Sequence, residues 1–291
     1  MTARTIIITG ASDGIGAAAA RKLSRDGDRV VIVGRSAEKT SAIAAELGAD
    51  FFVADFADLS QVRALATDLL ARYPRIDVLA NNAGGIMGAR ETTMDGHEKT
   101  FQVNHLAPFL LTMLLVDRLA DSKASVIQTS SAANSLFGRI DLDDLDAEQT
   151  YSANKAYGDA KLANILFTQE LHRRFNDEGI SAAAFHPGVV ATSFSATSTS
   201  PMRFIYQTAL KRFLLTPEQG ADTLVWLATA TPGSDWRSGA YYEKRKIAGA
   251  NTQAYDPELA AGLWERSSAM VAEPLPVAEP VPVAEPVPVA E

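Results

Sequence analysis

The sequence predicts an α/β fold built around one doubly wound parallel sheet, and three observations carry that expectation. Short β-branched runs alternate with alanine- and leucine-rich stretches at helical spacing along most of the chain. The first run, Ile6-Ile7-Ile8, passes into Thr9-Gly10-Ala11-Ser12-Asp13-Gly14-Ile15-Gly16 and then into four alanines, which reads as strand, glycine turn and helix. The 291 residues, 47% apolar and 21% charged, suffice for one large core without a second domain. Residues 1–270 are expected to form that domain, followed by a tail over 271–291.

The glycine turn sets the first chemical expectation. Residues without Cβ let the backbone turn sharply and come close to a pyrophosphate, and free N–H groups at a helix start offer it partial positive charge. Gly10, Ser12, Asp13, Gly14, Ile15 and Gly16 are therefore expected to contact a dinucleotide, the alternative being an ordinary tight turn. Arg29 to Val33 reads as the second strand, Glu38 to Leu47 as a helix and Phe51 to Ala54 as the third strand. A carboxylate past the second strand would bind an adenosine ribose 2′-hydroxyl, but Gly34-Arg35-Ser36 stands there. The Arg35 guanidinium would pair with a 2′-phosphate, which favours NADP(H); its alternative is a solvated residue at a helix start. Asp55 is placed to accept from the adenine amine or to cap the helix beginning near Leu59.

Leu59 to Tyr73 reads as a helix ending at Pro74, and Ile76 to Ala80 as the fourth strand. It runs into Asn81-Asn82-Ala83-Gly84-Gly85, where Asn82, Ala83 and Gly84 suit a floor under a cofactor. Asp95 to Leu119 reads as one long helix carrying Asn104 in its middle, with a bend expected at Pro108. Ser125 to Thr129 is the fifth strand, ending in Ser130-Ser131. Tyr157 and Lys161, four residues apart on a helix starting near Asn154, share one face. There the cation can lower the tyrosine pKa from about 10, toward acid–base work on a carbonyl or alcohol. Ser181 to Phe185 is the sixth strand, with His186-Pro187-Gly188-Val189-Val190-Ala191-Thr192 leaving its end, and Gly239 to Tyr242 reads as the last strand.

Composition narrows the partners. With 27 basic against 35 acidic groups, a net charge of −8 and no dense cationic stretch, neither nucleic acid nor an anionic membrane surface is expected. The absence of cysteine excludes disulfides, thiolate metal sites and cysteine nucleophiles, and no metal is expected. The first strand leaves no room for a signal peptide and the longest apolar run, Phe109 to Val116, is too short to span a bilayer, so a cytoplasmic protein without a membrane span is expected.

In chain order, Thr9–Gly16, Asn81-Asn82-Ala83-Gly84, Asn104, Ser130-Ser131, Tyr157-x-x-x-Lys161 and His186-Pro187-Gly188 resemble the short-chain dehydrogenase/reductase family in its single-domain, Rossmann-fold form, over about residues 4 to 265. The resemblance implies Tyr157 as proton donor and acceptor, and Lys161 as the group that binds the nicotinamide ribose and lowers the tyrosine pKa. It further implies Ser131 as the polariser of the substrate oxygen and Asn104 as the holder of a relay water. Pro187, Gly188, Val190 and Thr192 would support the nicotinamide, with His186 structural. The 26 residues from Ser131 to Tyr157 (157 − 131), together with residues 103–112 and 161–171, are similar to the branch of retinol dehydrogenases and WW-domain oxidoreductases. That branch's vertebrate amino-terminal membrane segment is not expected here.

Asp141 to Asp146 resembles a calcium loop only superficially, lacking Gly at its sixth place and Glu at its twelfth, and an acidic rim near the site is expected instead. Ser193 to Leu215, rich in Ser/Thr and then in large apolar residues, is a candidate lid or a helix packed on the sheet; either suits a bulky apolar substrate. The Val-Ala-Glu-Pro repeats from Val271 read as a disordered, polyproline-like tail. The expected activity is NADPH-dependent interconversion of a carbonyl and an alcohol on a retinal-like aldehyde or an anthracycline-type aromatic polyketide ketone. A non-catalytic NADP(H)-binding redox sensor is the competing class, and a homo-oligomer is compatible with either.

Overall fold

The computed structural model describes residues 3–190 and 215–272. An eight-stranded sheet runs in the order β3-β2-β1-β4-β5-β6-β7-β8 and is parallel throughout except for the last pair. The strands are β1 (Thr5–Thr9), β2 (Arg29–Gly34), β3 (Asp50–Val53), β4 (Val78–Asn81), β5 (Ser125–Thr129), β6 (Ser181–His186), β7 (Ala240–Glu243) and β8 (Lys246–Ile247). β8 turns back on β7 as a two-residue hairpin arm, an addition to the last strand expected from sequence.

Both faces of the sheet are covered, which is why its strands are near-continuous apolar runs rather than alternating ones. Ile6 and Ile8 pack on the side of α1 (Gly14–Arg25), α2 (Ala37–Leu47) and α9 (Pro217–Thr229). Ile7, between them, faces α3 (Leu59–Arg72), α5 (Ala107–Leu114), α8 (Ala153–Phe175) and α10 (Pro257–Met270). All three isoleucines are fully buried, each contributing about 2 kcal/mol from lost apolar exposure. The strand order reverses between β1 and β4, and a crevice opens there at the carboxyl ends of the strands.

The stretch expected as one helix over Asp95–Leu119 is broken into pieces. It starts only at α4 (Lys99–Phe101), where buried Glu98 caps the backbone N–H groups of Thr100 and Phe101. A π turn follows over Gln102–Leu106, then α5, then α6 (Val116–Ser122), which is bent by 64° from the preceding segment. The sharp bend therefore lies at Leu115 rather than Pro108. Pro108 acts more subtly: it has no N–H to give the carbonyl of Asn104, and the Ala107 N–H reaches back five residues to Gln102. The freed Asn104 carbonyl takes a hydrogen bond from Asn164 of α8 at 3.0 Å.

The acidic loop also differs from a solvated rim. Asp146 is half-buried and accepts from the Glu98 N–H and from His97, while Asp143 pairs with Arg266 at the surface. Val271, expected in the tail, is buried as the C-cap of α10. Residues 273–291 and, apart from Leu215, the candidate lid over Ser193 to Leu215 lie outside the described residues. No single helix among the described residues is long and apolar enough to cross a membrane.

Candidate active site

The crevice encloses a cleft of about 420 Å³. One wall is the turn into α1. Gly10 has φ +65°, and a Cβ on it would sit 2.8 Å from the Ala83 Cα; a Cβ on Gly16 would sit 2.4 Å from the Gly10 carbonyl. The turn is therefore drawn tight against the β4 loop, with the α1 N-terminus facing the cleft. Gly14 and Ile15 line the same wall, and Asp13 caps the helix by accepting from the Gly14 N–H at 2.7 Å. Close backbone approach and open helix N–H groups fit a dinucleotide pyrophosphate.

Asn82 clamps the floor. Its Nδ2 donates to the carbonyls of Thr9 and Gly10, and the Thr9 hydroxyl accepts from the N–H groups of Asn82 and Ala83. Ala83 and Gly84 line the cleft beyond it. The opposite side carries the sixth-strand exit, where Pro187, Gly188 and Val190 line the cleft and His186 Nδ1 accepts from the Ala132 N–H at 3.3 Å. Thr192 lies outside the described residues.

The two adjacent serines stand in different surroundings. Ser130 is buried and donates to the Lys161 carbonyl at 2.7 Å, fastening β5 to α8. Ser131 is half-exposed in the cleft, and among the described residues its hydroxyl takes one hydrogen bond, from the Ala133 N–H at 3.2 Å. Tyr157 and Lys161 line the same cleft from α8, with Lys161 Nζ 5.4 Å from the Tyr157 ring centroid. Lys161 is fully buried, donates to the Thr129 carbonyl at 3.1 Å, and is pushed down to about 7 by desolvation. Asn104 lies behind this group rather than in the cleft wall. Its Nδ2 donates to the carbonyls of Gly85 and Thr100, and its Oδ1 accepts from the Gly85 N–H at 3.0 Å. The side chain thus holds the glycine floor, and its backbone carbonyl faces Asn164.

Three of the residues expected to contact the cofactor stand outside the cleft wall. Ser12 packs against Gly34 at the end of β2. Arg35 is exposed and makes no hydrogen bond or ion pair with described residues, while neighbouring Lys39 pairs with Asp13 at 3.1 Å. Asp55 accepts from the Ala57 N–H at 3.0 Å, and the cap of α3 is Asp58 rather than Asp55.

The chain from β1 through the sixth-strand exit matches the family model described as short chain dehydrogenase over residues 4–203. The chain belongs to the short-chain dehydrogenase family. Its relatives include a candidate daunorubicin C-13 ketoreductase of Streptomyces sp. (strain C5), 46% identical over 93% of each chain. Retinol dehydrogenase 11 of Mus musculus is 37% identical over 94% of this chain and 87% of its own. Among solved structures, an uncharacterized protein from Mycobacterium paratuberculosis superposes with a TM-score of 0.73 at 34% identity, over 92% of this chain and 93% of that one. The protein is thus an oxidoreductase by family, and the family uses nicotinamide dinucleotides.

The mouth of this short-chain dehydrogenase's cleft lies outside its motifs. Ile86, Leu136, Phe137 and Val189 line it, and the last three are exposed large apolar side chains. Leu136 ends α7 (Ala133–Leu136), a single turn held by Asn134 and Asn251. The only available signal was an apolar pair inside an otherwise small and polar stretch after Ser131. Asn164 is also absent from the motifs, although it is buried beside Lys161.

Proposed function

We propose that this protein is an NADP(H)-dependent oxidoreductase that interconverts a carbonyl and an alcohol on a bulky, largely apolar substrate. The observation that carries the reading is the meeting of Ser131, Tyr157 and Lys161 in one cleft whose mouth is lined by Leu136, Phe137 and Val189. When bound, the reduced nicotinamide supplies a hydride. Gly10, Gly14 and Gly16, with the α1 N-terminus, would hold its pyrophosphate, and Pro187, Gly188 and Val190 its nicotinamide end. Arg35, exposed at the end of β2, would pair with the 2′-phosphate, Asp55 would face the adenine, and Thr192 would complete the carboxamide contacts.

On the substrate side, the Ser131 hydroxyl donates to the carbonyl oxygen and fixes its direction. The Tyr157 hydroxyl delivers the proton to that oxygen as negative charge builds on it. Lys161, donating from below, favours the phenolate that remains. Asn104 keeps the Gly84–Gly85 floor at the height that lets Lys161 reach forward, and its relay role is part of this reading. The apolar mouth supports a retinal-like aldehyde or an anthracycline-type ketone, in keeping with the names of the relatives.

The test is a panel of retinal-like aldehydes, aromatic polyketide ketones and small carbonyl compounds incubated with NADPH. Consumption of reduced nicotinamide with at least one bulky apolar compound is expected. Cofactor binding without oxidation on any of them would overturn the reading and leave a redox-sensing module.

A further inference from the structure

Lys161 is buried beside Tyr157, and a second polar side chain lies one turn further along α8 on the same face. Asn164 is 2% exposed. Its Nδ2 donates to the Asn104 carbonyl at 3.0 Å and to the Thr129 carbonyl at 3.3 Å. The Thr129 carbonyl is also the acceptor of Lys161, so its two lone pairs are shared between an amide and an ammonium. Behind Asn164 stands His105, whose Nδ1 lies 3.3 Å from the Asn164 Oδ1 and whose Nε2 lies 2.9 Å from the Ser267 hydroxyl of α10.

The donor directions follow from the chemistry of the groups. Full burial pushes His105 down to about 4, so the ring is neutral, with one donor and one acceptor nitrogen. The amide oxygen can only accept, which makes Nδ1 the donor and Nε2 the acceptor of the Ser267 proton. This tautomer locks the Asn164 amide with its oxygen toward His105 and both N–H bonds toward the two carbonyls. A flipped amide would face the Asn104 and Thr129 carbonyls with its oxygen and lose both of those buried hydrogen bonds.

We propose that Asn164, oriented by His105 and Ser267, is a positioning residue that occupies half of the Thr129 carbonyl and so holds Lys161 forward in the cleft. With one lone pair of Thr129 taken by a neutral donor, the ammonium keeps a single described hydrogen bond and two free N–H directions for phenol and ribose. The same amide satisfies the Asn104 carbonyl that Pro108 leaves bare, which ties the floor of the cleft to Lys161. The inference rests on the acid–base reading of Tyr157 and Lys161 given above.

The experiment compares Asn164→Leu, His105→Leu and His105→Asn with wild type, all as the full chain. In Asn164→Leu, kcat for the best carbonyl compound should fall ten- to a hundredfold, with KM and NADPH affinity changed less than threefold, because misplacement near the reacting atoms penalises the chemical step. His105→Leu should fall in the same way, and His105→Asn, whose amide N–H replaces the ring Nδ1–H, should recover most of that loss. The Asn164→Leu/His105→Leu double variant should be no slower than the worse single one.

A second readout needs no turnover: the titration midpoint of Lys161 in the ligand-free protein, followed by NMR of its side-chain carbons. It should rise in Asn164→Leu, since both lone pairs of Thr129 then serve the ammonium. The titratable groups facing Lys161 are Tyr157 from its own helix and His105 from the π turn; β5 presents Thr129 and Ser130, and the floor presents Gly84 and Asn104. An unchanged midpoint, or a kcat loss matched by the loss of folded protein, would overturn the inference. If the wild type turns over nothing, the activity reading fails by itself and the Lys161 titration still decides this one. Should Asn164→Leu not fold, the two His105 variants carry the same comparison.

Discussion

Lys161 Nζ lies 5.4 Å from the centre of the Tyr157 ring, the two side chains standing four residues apart on one face of α8. Removing the phenol oxygen while keeping the ring separates chemistry from packing. Tyr157→Phe should lower kcat by about a hundredfold to ten-thousandfold, the scale of a lost general acid. NADPH binding, read by nicotinamide fluorescence, should stay within severalfold of wild type. Near-normal turnover in this variant would remove Tyr157 from the mechanism.

Burial of Lys161 has a pH signature. Its folded-state pKa is about 7, against 10.5 for the free side chain. Between those values the unfolded chain binds a proton that the native protein does not, so native stability rises with pH across this window. Below about 7 the penalty is fully present. Chemical denaturation of the ligand-free protein at pH 7, 8 and 9 should show wild type gaining on Lys161→Met by up to about 1.4 kcal/mol per pH unit. A difference that stays flat with pH would mean that the lysine is solvated in the native state.

Gly84 gives a steric test of the floor. A Cβ there would lie 2.4 Å from the Asn104 Oδ1 and 3.1 Å from the Lys161 Nζ. Neither group can retreat easily, because Asn104 is tied to Gly85 and Thr100 and Lys161 to Thr129. Gly84→Ala should cost about 1–3 kcal/mol of stability, with kcat falling further than the loss of folded protein explains. Equal Tm and kcat to wild type would show that the floor has room to spare.

On the proposed reading, Arg35 carries the cofactor selectivity. Arg35→Ala should weaken NADPH binding by about 2 kcal/mol, roughly thirtyfold, while NADH binding barely changes. Lys39 is held by Asp13 and is a poor substitute unless it leaves that ion pair. Titration of both cofactors into both proteins at one salt concentration checks this. Equal losses for the two would assign the effect to the fold rather than to the phosphate.

Much of the architecture was legible because it depends on neighbours in sequence. Ile6 to Gly16 spells a strand, a tight turn and a helix start through β-branching and absent Cβ atoms, properties that act within a few residues. Tyr157 and Lys161 meet because four residues make about one helical turn, whatever packs around them. The choice between Ser130 and Ser131 was not local. It came from family resemblance; in the fold the Ser130 hydroxyl donates to the Lys161 carbonyl and Ser131 is half-exposed.

What the tertiary structure alone decided concerns groups that are far apart in the chain. The helix expected over Asp95–Leu119 breaks into a π turn because Pro108 strands the Asn104 carbonyl, and the break is tolerated because Asn164, sixty residues on, supplies the missing donor. Burial pushes His105 down to about 4 and Lys161 down to about 7, and desolvation depends on everything within reach rather than on adjacent residues. Periodicity and motifs therefore determined most of the elements and brought Tyr157 and Lys161 to one face of α8. The depressed pKa of Lys161, and the amides packed around it, were decided by packing, since hydrogen-bond partners and dielectric are properties of the folded interior.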